Sequence, residues 1–97
     1  MSDDFFAPPA FKPAEALVLL QRQLREVRGL AERGSGYDWK GRAVIALAAT
    51  DTTIEAKLAR RPAVTPEWTT HVLKGSPDVR KFVDAVRQQA ARWSEIE

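Results

Sequence analysis

Ninety-seven residues suffice to close one hydrophobic core and leave no material for a second. Apolar residues at 44% and charged residues at 29%, with a net charge of only +2, exclude a disordered chain. The absence of cysteine excludes a disulfide framework, a thiolate metal site and a thiol nucleophile.

The isoelectric point near 9.3 suggests a nucleic-acid binder until the charges are counted. Fifteen lysines and arginines face thirteen acids, and no segment forms a basic arm. No apolar run approaches the length of a membrane span, and the acidic start Ser2-Asp3-Asp4 lacks the positive charge of a secretory signal. The expected setting is the cytoplasm.

Residues 1–12 combine Phe5, Phe6 and Phe11 with Pro8 and Pro9, which favour an extended path; they are expected to form a tail, flexible or docked. Residues 13–97 are expected to form a single α+β domain. From Pro13 to Arg33, Leu17, Leu20, Leu24, Val27 and Ala31 recur at steps of three and four, which predicts a helix with one apolar stripe. Pro13 suits its first turn and Gly34-Ser35-Gly36 its end.

Beyond Tyr37 the period shortens to that of a strand. Tyr37 to Lys40 reads as a short strand turning at Lys40-Gly41. Arg42 to Ala49 and Ile54 to Ala59 read as a hairpin about Asp51-Thr52, because that turn sets Ala49 opposite Ile54, Leu47 opposite Ala56 and Ile45 opposite Leu58. All six then share one face, as a hairpin requires. Arg61 to Pro66, with two prolines, reads as a loop. Residues 66–74 admit a strand or a short helix, and the β-branched Thr69, Thr70 and Val72 favour the strand. Ser76-Pro77-Asp78 opens a second helix with Val79, Phe82, Val83, Val86, Ala90 and Trp93 on one side. The fold class is therefore α+β, ordered α-β-β-β(-β)-α, with two helices on one face of a small antiparallel sheet and the other face uncovered. In order alone this resembles double-stranded RNA-binding domains. Their loop histidine motif and the lysine cluster opening their last helix are missing, because Arg80 and Lys81 beside Asp78 do not supply one.

Catalysis has few candidates. The single histidine, His71, sits in a strand-prone stretch, and no glycine pattern matches a phosphate-binding fingerprint. No enzymatic activity, cofactor or metal site is expected. Two surfaces could carry recognition instead. One is the start of the first helix, where Val18 and Leu19 lie off the core stripe and, with Phe5, Phe6 and Phe11, could hold a protein partner or a second copy of the chain. The other is the uncovered sheet face. Extending the hairpin register sets Val44 opposite Ala59 and Arg42 opposite Arg61. A two-residue turn at Lys40-Gly41 would then add Tyr37 and Trp39 to the same face, whereas a three-residue turn would send both inward. Tyr37, Trp39, Lys40, Arg42, Lys57 and Arg61 are the nucleic-acid candidates, since cations interleaved with aromatic rings hold single strands. The first expectation for function is a non-enzymatic accessory or protein-interaction module, and the alternative is nucleic-acid binding.

Overall fold

The computed structural model describes residues 11–96. Helix α1 spans Pro13–Arg25 and helix α2 spans Ser76–Ile96. Between them run five strands: β1 Leu30–Arg33, β2 Gly36–Trp39, β3 Arg42–Ala49, β4 Ile54–Ala59 and β5 Trp68–Leu73. The strands form an antiparallel meander in the order β1-β2-β3-β4-β5, with β1 and β5 at its edges.

The first helix is shorter than its apolar pattern predicts, ending at Arg25 rather than Arg33. After Arg25 the N–H groups of Glu26, Val27 and Leu30 donate to carbonyls only three residues back, so the helix tightens and unwinds. Gly29 then takes φ +98°, a conformation that turns the chain into β1. A side chain at Gly29 would collide with the Trp39 ring. Val27 keeps its buried place as part of the exit, while Ala31 is exposed on β1. This additional strand raises the sheet from the three or four expected strands to five.

The hairpin of β3 and β4 has the predicted register, with Ile45 opposite Leu58, Leu47 opposite Ala56 and Ala49 opposite Ile54. Thr50 and Thr53 close it around Asp51-Thr52. The Thr50 N–H donates to the Thr53 carbonyl (2.8 Å), and the Thr50 hydroxyl oxygen accepts from the Thr53 N–H (2.9 Å). Lys40-Gly41 is a two-residue turn with positive φ at both residues (50° and 82°), the geometry that matches strand twist.

One feature of β3 was not predicted. Tyr37 pairs with Ile45, but Asp38 pairs with Ala43, so Val44 is an extra residue opposite β2. This β-bulge lets two successive residues, Val44 and Ile45, both point inward, and both are buried. The parity of β3 therefore reverses at the bulge. Tyr37 and Trp39 do share a face with Val44, as a two-residue turn requires, but that face is the one under the helices. The Ile45 carbonyl at the bulge packs against Gly36, where any Cβ would strike it.

The helices cover this one face. Leu20 and Leu24 of α1 meet Val79, Phe82, Val83, Val86, Ala90 and Trp93 of α2 in a single core cluster with the inward strand residues. Within it, the Trp39 and Trp93 rings meet edge to face at 5.3 Å, and the Trp93 indole N–H donates to the Arg60 carbonyl (3.2 Å). At the start of α2, Gly75 accepts from the Asp78 and Val79 N–H groups. The Asp78 carboxylate accepts from the Lys74 N–H (2.9 Å), and the helix already includes Ser76, so it opens one residue earlier than predicted. No helix among the described residues is long and apolar enough to cross a membrane.

Three glycine substitutions separate these constraints. Gly29→Ala and Gly36→Ala should each destabilise by about 2 kcal/mol or more, since each meets packed atoms. Gly34→Ala, at φ +60° with open space around it, should cost about 1 kcal/mol. Urea unfolding of the three variants checks the ranking.

Candidate functional site

The surface of α1 follows from its length and pattern. With Leu20 and Leu24 turned to the sheet, Val18 and Leu19 fall on the flanks and remain 54% and 53% exposed. Phe11 is half-buried and packs against the core, so the last part of the expected tail is docked on the domain. Phe5 and Phe6 lie outside the described residues.

The nucleic-acid candidates do not converge as expected. Tyr37 and Trp39 are core residues, 2% and 3% exposed, because the bulge turns them to the helices. The Tyr37 hydroxyl donates to the Gln21 carbonyl of α1 (3.1 Å), and the Trp39 indole N–H is buried without an acceptor among the described residues. Arg42 faces Trp39 across the Lys40-Gly41 turn rather than Arg61, because pairing of β3 with β4 begins only at Ile45 and β4 ends at Ala59. For the same reason Val44 has no place opposite Ala59. Lys57 does lie on the open face, in register with Ala46 and Thr70. The rest of that face is short: Ala43, Ala46 and Ala48 follow along β3, and Arg33 pairs with Asp38 (3.3 Å).

Arg61 instead joins Arg60, Thr69, Gln89, Arg92 and Trp93 around a shallow groove between the loop after β4 and the end of α2. The Arg60 guanidinium makes a long, exposed ion pair with Glu67 (3.9 Å). The Arg60-Arg61 doublet is visible in the sequence, but Arg92 arrives only through the packing of α2. His71 lies half-buried with its ring edge to face against Phe82 at 5.3 Å, beside Asp78 and Lys81. Among the described residues, no three His, Cys, Asp or Glu side chains gather closely enough to hold a metal ion.

The two edges of the sheet differ in kind. β1 has four residues, among them Glu32 and Arg33. β5 has six, Trp68-Thr69-Thr70-His71-Val72-Leu73, with no Asp, Glu, Lys, Arg, proline or glycine. Charges, prolines and short length are the usual protections of an edge, and β5 has none of them. Its open-face side chains include Trp68, 39% exposed, and Val72, 47% exposed. This edge was not singled out from the sequence. The uncharged run is visible there, but its position at the rim depends on the sheet order.

Comparison with protein-family models, with curated proteins and with solved structures gives no match.

Burial raises the Tyr37 pKa above its ordinary 10.0, and the nearby Glu32 carboxylate adds to the rise against an opposing Arg25. The folded state then holds a proton that the unfolded chain releases, so Tyr37 contributes stability that is present below pH about 10 and declines as pH rises beyond it. Tyr37 is the one tyrosine in the chain, so phenolate absorbance reports it alone. Its midpoint should lie above 10.0 in the folded protein. Tyr37→Phe should lose about 1 kcal/mol at neutral pH and flatten the alkaline decline.

Proposed function

We propose that this chain is a non-enzymatic protein-interaction module that receives an extended partner segment along β5. The observation that carries the proposal is an edge strand six residues long, without charge or proline, bordered by exposed Trp68 and Val72. An incoming strand would satisfy the outward backbone groups of β5 and cover both side chains, the mode known as β-augmentation. Val18 and Leu19 on α1 offer a second, smaller contact. A chain without cysteine suits the reducing cytoplasm, where we place it.

The test is selection of peptides from a random displayed library on the immobilised protein. Selected peptides should shift the amide resonances of Trp68 to Leu73 and bind Thr70→Pro at least about tenfold more weakly, because proline removes an edge donor. Equal binding to Thr70→Pro, with shifts elsewhere, would sink the proposal.

A second function, binding of single-stranded nucleic acid, is favoured by Arg60, Arg61 and Arg92 around one groove. With Tyr37 and Trp39 in the core it would rest on phosphate contacts, so affinity should fall steeply with salt. Arg92→Ala should reduce the slope of log affinity against log salt by about 1. An oligonucleotide titration with no salt dependence would remove it.

A further inference from the structure

We infer that the segment received by β5 is the β5 of a second copy of this chain, paired antiparallel about a two-fold axis through Thr70. The inference rests on the β-augmentation proposed above and names the partner.

Hydrogen-bond phase fixes which backbone groups are free. The Arg60 N–H donates to the Glu67 carbonyl (3.0 Å), and these two residues continue the β4–β5 register of Leu58 with Thr69, Ala56 with His71 and Ile54 with Leu73. Narrow pairs alternate along an antiparallel ladder, so Thr69, His71 and Leu73 direct their N–H and C=O groups to β4. Trp68, Thr70 and Val72 direct theirs outward. The far side of β4 gives the same phase. The Thr50 bond to Thr53 makes Ala48 with Glu55 and Ala46 with Lys57 narrow pairs, which leaves Ile54, Ala56 and Leu58 to serve β5. Among the described residues, no other strand occupies the outer edge of β5.

A second copy must satisfy two conditions at once. Facing residues must lie on the same side of the pleat, and outward backbone groups must face outward backbone groups. Both hold when Thr70 faces the second copy's Thr70 and Trp68 faces its Val72, which yields about six new backbone hydrogen bonds. A one-residue slip breaks both conditions. A two-residue slip one way sets Pro66, which has no N–H, against Val72, and the other way sets Lys74 against Trp68. The exposed aromatic and the exposed β-branched side chain are four residues apart with Thr70 midway, so the symmetric register buries both, twice.

Charge permits the pairing. No charged side chain lies between Trp68 and Leu73, so none faces its own copy. The closest pair of like cations on the open face, Lys57 and its counterpart, would stand about 14 Å apart, three strand spacings away and beyond a Debye length at physiological salt. At the other rim, β1 would bring Glu32 and Arg33 of each copy into any such contact. A small interface of this kind should be weak and transient.

The experiment is sedimentation equilibrium from about 1 µM to about 1 mM, joined to isotope-filtered NOE spectra of a mixed labelled and unlabelled sample. The expected result is a monomer–dimer equilibrium with intermolecular NOEs between Trp68 and Val72. Dimerisation should weaken at least about tenfold in Thr70→Pro and in Val72→Lys. Val72→Lys alters only an exposed side chain, so it keeps the test valid if the proline variant does not fold. A wild-type protein that stays monomeric throughout would overturn self-pairing, while library peptides that still bound β5 would leave strand addition standing. A dimer that is indifferent to Val72→Lys and lacks the Trp68–Val72 NOEs would overturn it as well.

Discussion

The structure depends on the extra residue in β3. Two helices cover only one face of this five-stranded sheet, so the bulky side chains of the core must reach that face. Without Val44 as a bulge, the parity that buries Ile45 and Leu47 would leave Arg42 and Val44, and with them Tyr37 and Trp39, on the open side. The bulge reverses the parity at one point and brings Val44, Tyr37 and Trp39 to the helices. Gly36 makes it sterically feasible by leaving room for the Ile45 carbonyl.

Several contacts then lock the arrangement. Trp39 lies against Gly29 and Trp93, which ties the end of α1 to the end of α2 through one indole. Tyr37 hydrogen-bonds the backbone of α1 at Gln21. The buried Trp39 N–H, which has no acceptor among the described residues, opposes this at a cost of about 1–3 kcal/mol, and the burial of two large rings must exceed it. Because Tyr37 and Trp39 are inside, the open face along β2 and β3 is left with alanines and scattered charge. Recognition therefore moves to the margins of the sheet, where β5 presents an uncharged edge and the arginines gather at the adjoining corner.

Much of the fold was legible in the sequence, wherever one periodicity ran without interruption. The stripe from Val79 to Trp93 gives α2 directly, and the agreement of parity across Asp51-Thr52 gives the register of the β3–β4 hairpin. The stripe of α1 misled because Val27 and Ala31 continue its spacing beyond Arg25, where the helix ends, and across Gly29, whose positive φ turns the chain into β1. The site was less legible. The turn at Lys40-Gly41 was legible but its length was open between two and three residues, and the face of Tyr37 and Trp39 depended on a bulge with no signature beyond a Gly-Tyr opposite a run of small apolar residues. Arg92 and the edge position of β5 are products of topology, and local pattern does not encode them.

The most direct measurement is the surroundings of the Trp39 indole in a NOESY spectrum. The bulged register predicts NOEs from its ring protons to the Gly29 α-protons and to the Trp93 ring, together with protection from a soluble paramagnetic agent. An indole ring bleached by that agent, with neither set of NOEs, would place Trp39 on the open face and contradict the account.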